Sequence, residues 1–145
     1  MKPKRLRLAE VEFIAFRLAE RLMTWDEPIP AFGTRFPQVL ESCIETPFQT
    51  VGGKFLYSGL FRKAAVQFYL MIKNHPFQNG NKRIAVTTLL VFLANNGFNI
   101  QVSNDSLYRF ARYVAASRPA VRARVMERIE DYIRSNTAGS EEGVE

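Results

Sequence analysis

The sequence predicts an all-α protein, a helical bundle that carries one short β hairpin. Apolar residues return at helical spacing in almost every segment between turn signals. One segment, about residues 81–96, is apolar nearly all round, so it reads as the buried central helix. The exception to helical spacing is the stretch around Thr50, Val51, Gly52 and Gly53, where β-type residues run into a glycine pair. A chain of 145 residues suits one domain and can bury a core without disulfides or metals.

The elements are expected in the following order. From residue 8 to about 23, Val11, Ile14, Leu18 and Leu22 share one face of a first helix. Pro28 and Pro30 then break the chain into a loop, with Trp25 as a core or rim packing residue. Phe36, Val39, Leu40, Cys43 and Ile44 form a second stripe, which ends ahead of Pro47 because the residue before a proline avoids helix. After the hairpin segment, helical spacing returns over about 55–73 through Tyr57, Leu60, Phe61, Ala64, Phe68 and Met71, until Asn74-His75-Pro76 stops it. Gly97 is a C-terminal cap for the central helix, and residues 98–102 are short and extended. Ser103, Asn104 and Asp105 offer N-caps to a helix through Leu107, Phe110 and Val114. Pro119 opens a last helix with Val121, Val125, Ile129 and Ile133 on one face. The domain is expected over residues 1–135, and the Gly-, Ser- and Glu-rich acidic tail, 136–145, is expected to be disordered.

Composition removes several classes of function. The net charge of +6 and pI near 9.8 invite a nucleic-acid reading. The charge is spread, however, between Lys2, Lys4, Arg5 and Arg7 at one end and Arg118, Arg122 and Arg124 at the other, the latter mixed with Glu127, Glu130 and Asp131. A solvated face or an acidic protein partner accounts for that pattern equally well, so nucleic acid is not the expected partner. The densest apolar run, 84–93, is too short to cross a bilayer. Glu10 and Glu12 interrupt the stretch that would follow a signal peptide's basic start, which makes the expected compartment the cytoplasm, with no membrane partner. Cys43 is the only cysteine, and its neighbours Val39, Leu40 and Ile44 mark it as a buried filler rather than a nucleophile. No Walker A loop occurs, and one histidine with one distant cysteine cannot make a zinc site.

Chemistry concentrates in one run: His75-Pro76-Phe77-Gln78-Asn79-Gly80-Asn81-Lys82-Arg83. Gly80 permits a tight turn and close approach of a ligand. The helix that starts near Asn81 presents unpaired N–H groups and the positive end of its dipole to that turn. Asn81, Lys82 and Arg83 add an amide donor and two cations, which together suit a phosphate. His75, the only histidine, can exchange a proton near neutral pH. A base beside a phosphate cradle suits removal of a proton from a hydroxyl as it attacks a phosphoryl or nucleotidyl group. The alternative is structural: a hydrogen-bonded loop histidine beside a solvated, basic helix start.

The run resembles the signature of the Fic/Doc family, His-Pro-Phe-x-(Asp/Glu)-Gly-Asn-x-Arg, and Lys82 resembles the Doc (death-on-curing) branch, whose motif ends Asn-Lys-Arg. The likeness extends outward through Glu41-Ser42, residues 47–53, Leu56-Tyr57, Lys63-Ala64-Ala65 and Ile72-Lys73-Asn74, and onward through residues 90–97. The resemblance implies a Fic-fold helical bundle with a β-hairpin flap. It implies His75 as general base, Phe77 as the buried anchor of the loop, and Gly80, Asn81, Lys82 and Arg83 as the nucleotide-phosphate site. Thr50, Val51, Gly52 and Gly53 would form the flap that positions the target.

The same resemblance implies ATP as donor with Mg²⁺, transfer of the γ-phosphate, elongation factor Tu as target and a cognate antitoxin as partner. Asn79 departs from the family pattern, which has Asp or Glu there to help hold Mg²⁺; an amide oxygen brings no negative charge. The alternatives are an AMP or other nucleotidyl transferase of the same fold, a catalytically silent Fic fold, and a basic nucleic-acid-binding module. An inhibitory Ser/Thr-x-x-x-Glu-Gly/Asn helix has only a near miss, from Thr137 to Glu141, which is followed by Glu142.

Overall fold

In the first helix, the apolar repeat of residues 8–22 is interrupted by a wider turn. The chain runs through α1 (Leu8–Phe13), a π-helical segment (Ile14–Leu18) and α2 (Ala19–Leu22). A regular helix would bury Leu18. The extra residue in the π turn, closed by Ala19 N–H to the Ile14 carbonyl, instead brings Ala19 to the core beside Val11, Ile14 and Ala15, and leaves Leu18 half-buried. The computed structural model describes residues 2–22 and 31–139, so Met23, Trp25, Pro28 and Pro30 lie outside the described residues.

A 3₁₀ turn (Phe32–Thr34) leads into α3 (Pro37–Glu45), with proline in its first turn where no N–H is needed. Leu40, Cys43 and Ile44 face the core, while Phe36 stays exposed ahead of the helix. A second 3₁₀ turn (Thr46–Phe48) holds Pro47 and passes into the hairpin of β1 (Thr50–Val51) and β2 (Lys54–Phe55). Thr50 pairs with Phe55 and Val51 with Lys54, antiparallel. Gly52 and Gly53 turn the chain at φ 59° and 79°, positive angles that a two-residue hairpin requires and side chains resist.

The hairpin corrects the expected start of the next helix. Phe55 belongs to β2 and Tyr57 to the connection; Gly59, at φ 87°, ends that connection, and α4 runs over Leu60–Lys73. α5 (Asn81–Asn95) follows, with Asn96 and Gly97 closing it, Gly97 at φ 88°. Both helices are central. α4 is buried at every position from Lys63 to Ile72 because α3, α5, α6 and α7 all pack on it, a surround its amphipathic spacing did not disclose. β3 (Phe98–Ile100) precedes α6 (Asn104–Ala116), whose N-terminus is capped by Ser103 accepting from Ser106 N–H at 3.1 Å. Pro119 heads a 3₁₀ turn (Pro119–Val121) rather than the helix proper, and α7 (Arg122–Ser135) buries Val125, Ile129 and Ile133.

The acidic tail begins differently from expectation. Thr137–Gly139 form β4, antiparallel to β3 in the register Phe98↔Gly139, Asn99↔Ala138 and Ile100↔Thr137; the rest of the tail lies outside the described residues. Thr137 is therefore in a strand rather than in an inhibitory helix. At the opposite terminus, the buried Asn96 accepts from Lys4 N–H at 2.7 Å and donates to the Lys4 and Phe92 carbonyls, which ties the first residues to the end of α5. Among the described residues, no helix is long and apolar enough to cross a membrane.

Cys43 is fully buried, and desolvation pushes its thiol up to about 12. The native protein at pH 8 should therefore resist a thiol reagent such as DTNB and release one equivalent only on unfolding in denaturant, followed by absorbance.

Candidate functional site

The residues of the 75–83 run are held by three elements. α4 delivers the chain to the loop, and Lys73 in its last turn donates to the Ala115 and Ser117 carbonyls at 3.1 and 2.6 Å, fastening that end to the C-terminus of α6. The start of α3 holds the loop from the side: Phe36 N–H donates to the Pro76 carbonyl at 2.9 Å. Phe77 is buried and packs on Phe32 with ring centroids 6.1 Å apart.

The third support is the first residue of α5. Asn81 is buried, and its Oδ1 accepts from Phe77 N–H at 2.9 Å while its Nδ2 donates to the Phe77 carbonyl at 2.8 Å. One side chain thus satisfies both backbone groups of a buried residue that no helix or sheet serves. The same Nδ2 lies 3.5 Å from His75 Nδ1. His75 is exposed, at φ 50°, and is the only non-glycine with positive φ among the described residues. That conformation costs about 1 kcal/mol or more and persists because Pro76 and Phe77 on its C-terminal side are both fixed. His75 Nε2 has no protein partner among the described residues, so in the tautomer protonated at Nδ1 its in-plane lone pair is available to a substrate hydroxyl.

Gly80 stands at the N-cap of α5 with φ 73°, in the left-handed region, and no side chain caps that helix among the described residues. The first-turn N–H groups therefore begin immediately after the loop, with the half-buried Lys82 beside them. The side chain of Asn81 is spent on Phe77, so what this residue can offer an anion is its backbone N–H. Arg83 is 4% exposed and donates from Nη2 to the Ala19 carbonyl at 3.1 Å, in the seam between α5 and α2. Gln78 and Asn79 are exposed in the bend.

The 75–83 run carries no Asp or Glu, and among the described residues no cluster of three His, Cys, Asp or Glu could hold a metal. The exposed side chains of the bend can offer Mg²⁺ only neutral amide oxygens, on Asn79 and Gln78. That does not make a protein-built site, and it suits only a cation that arrives with its phosphate ligands.

The sequence profile of the Fic/DOC family matches residues 8–93, more than half of the chain. The chain belongs to the Fic/DOC family. No curated protein and no solved structure matches it. Membership supports a transferase that acts on proteins. The matched span begins at α1 and ends within α5, so it covers α3, α4, the loop and the start of α5, but not Ala115 and Ser117.

The other element with an expected role in this Fic/DOC protein, the hairpin of Thr50, Val51, Gly52 and Gly53, is placed apart from the loop. It precedes the first turn of α4, whereas His75 follows the last. The fourteen residues of α4 between them make a helix about 21 Å long. No hydrogen bond joins the hairpin to the 75–83 run among the described residues. A cavity of about 530 Å³ lies between α4 and α7, lined by Tyr57, Arg62, Met126 and Glu130 among others, and includes none of residues 75–83.

Four supporting residues had no assigned role from sequence: Phe32, Phe36, Lys73 and Ala19. Phe32, Phe36 and Ala19 reach the loop or Arg83 from distant segments, Phe36 and Ala19 through backbone atoms, which leave no mark in residue type, while Lys73 fastens the end of α4 to the distant Ala115 and Ser117. Removing the clip should be costly. Asn81→Ala leaves a buried N–H and carbonyl unpaired and should lower stability by about 2–4 kcal/mol, read as a shift in the urea midpoint.

Proposed function

We propose that this Fic/DOC protein transfers the γ-phosphate of ATP to a hydroxyl of an acceptor protein. By resemblance to the Doc branch the acceptor is elongation factor Tu and the outcome is arrest of translation, as the cytoplasmic toxin of a toxin–antitoxin pair. The observation that carries the reading is the juxtaposition of an exposed, conformationally strained histidine with the uncapped N-terminus of α5.

In this reading His75 takes the proton of the acceptor hydroxyl as its oxygen bonds to the γ-phosphorus. The bond from phosphorus to the β,γ-bridging oxygen breaks, and ADP leaves. The first-turn N–H groups of α5 and the Lys82 ammonium meet the charge on the phosphates. Lys82 stands where AMP-transferring members have glycine; its charge and bulk favour a pose with the γ-phosphate next to the histidine. Arg83 would hold phosphate from the α5–α2 seam. Mg²⁺ would come with ATP, with Asn79 contributing one oxygen, and supplies charge neutralisation on the phosphates. The hairpin of Thr50, Val51, Gly52 and Gly53 would hold the acceptor protein at the other end of α4, a distance that a protein acceptor spans and a small one does not. The antitoxin would lay an acidic or amphipathic segment on this basic protein.

The test uses ATP labelled at the γ or the α phosphate, in separate reactions with Mg²⁺ and elongation factor Tu. Label should pass from the γ position only, and His75→Ala should slow transfer about 100- to 10,000-fold. Passage of the α label instead would make the protein an AMP transferase. Asn79 supports a second reading, a fold silenced at its metal ligand. In that case neither label transfers, and Asn79→Asp should restore transfer.

A further inference from the structure

Lys63 in the first turn of α4 is fully buried, yet it makes no ion pair among the described residues. Its ammonium donates to the Tyr57 carbonyl, just beyond β2. The Nζ lies 3.7 Å from the centroid of the Phe55 ring, in β2, and 5.5 Å from that of Phe48, ahead of β1. Phe48 and Phe55 meet edge to face at 6.3 Å. A buried ammonium without a carboxylate is disfavoured, and desolvation lowers its pKa. Its compensation comes wholly from the two ends of the hairpin: a carbonyl on one side and two aromatic faces on the other.

The hairpin needs such a support. Each strand has two residues, the turn is a pair of glycines, and Val51, Phe55 and Leu56 are exposed at 67%, 38% and 51%. An isolated hairpin of this size is at best marginal in water. Within its root, Leu56 N–H donates to the Gln49 carbonyl at 2.9 Å. Its further ties to the body are the Phe48–Phe55 contact, the packing of Phe48 on Phe92 at 6.2 Å, the Arg5 guanidinium 5.0 Å from the Phe48 centroid, and Lys63, which of these alone contacts Phe55 and Tyr57 from the body.

We infer that Lys63 is a positioning residue, whose ammonium beneath Phe55 and Tyr57 locks the hairpin in the one orientation that engages the acceptor protein. The lock holds the hairpin in advance of binding, so its ordering entropy is not charged to the acceptor complex. Lys63 thereby governs affinity for the acceptor and leaves ATP binding and the proton transfer at His75, at the far end of α4, unchanged. The functional half of this inference rests on the hairpin's role in the proposed transfer; the structural half does not.

The first arm is amide hydrogen exchange on the full chain. Lys63→Met keeps the stem and removes the charge, and exchange of the Leu56 amide should speed up about tenfold relative to wild type, as for loss of a desolvated cation–π contact. Amides in the middle of α5 should be unaffected. Lys63→Arg retains a cation that can stack and donate and should recover most of the protection. Phe55→Leu, at a partly exposed position, should loosen the root in the same way and carries the test if Lys63→Met does not fold. Wild-type exchange at Leu56 in both Lys63→Met and Phe55→Leu would overturn the lock.

The second arm measures transfer to elongation factor Tu. Phe55→Leu and Lys63→Met should raise KM for the acceptor about tenfold, with kcat and the KM for ATP within twofold of wild type. A fall in kcat at unchanged acceptor KM would overturn the positioning role. If wild type transfers nothing to this acceptor, the proposed activity fails on its own, and exchange at Leu56 still decides the lock.

Discussion

One side chain holds the candidate site together. Asn81 pairs with both the N–H and the carbonyl of Phe77, so the first residue of α5 closes the bend between α4 and α5 onto the helix that follows it. Everything reactive in the loop depends on that closure. With Phe77 buried against Phe32 and Pro76 held by Phe36, His75 has no freedom to relax out of its left-handed conformation. The polar work of Asn81 is therefore structural. The anion-binding capacity that its residue type suggests passes to the backbone N–H groups of the helix it begins.

A similar exchange of roles occurs at Lys63. A lysine in an amphipathic helix ordinarily reaches water, and the spacing of α4 gives no reason to expect otherwise. It is buried because the connection from β2 to α4 folds over it and supplies the carbonyl of Tyr57, with Phe48 and Phe55 providing the rest. Arg83 is a third case: it is 4% exposed and donates to the Ala19 carbonyl. In each, a polar side chain that the primary structure assigns to solvent or ligand is used to fasten backbone. The reason is common: irregular segments leave N–H and carbonyl groups without partners, and long polar side chains reach them.

Much of the architecture was legible beforehand. Helical spacing located α3, α5, α6 and α7 closely, and Gly52-Gly53, Ser103 and Gly97 marked a turn, an N-cap and a helix end for local reasons that no tertiary contact overrides. Where the reading slipped, a long-range partner was responsible. Phe55 reads as helix until Thr50 pairs with it, and Thr137-Ala138-Gly139 reads as coil until β3 supplies a strand. The π turn at Ile14–Leu18 is invisible to a repeat of 3.6 residues because it changes the repeat itself, moving Ala19 to the core in place of Leu18.

The sequence by itself determined that this is a helical Fic/DOC protein and singled out residues 75–83 as its candidate site, since a nine-residue run of specific types and a set of amphipathic stripes are local properties of the chain. Only the tertiary structure decided how the parts are deployed. It set the hairpin at one end of α4 and His75 at the other, buried Lys63 and Arg83, and turned Asn81 inward onto Phe77. Those outcomes depend on which distant backbone groups need a partner, and that need arises only when the helices pack.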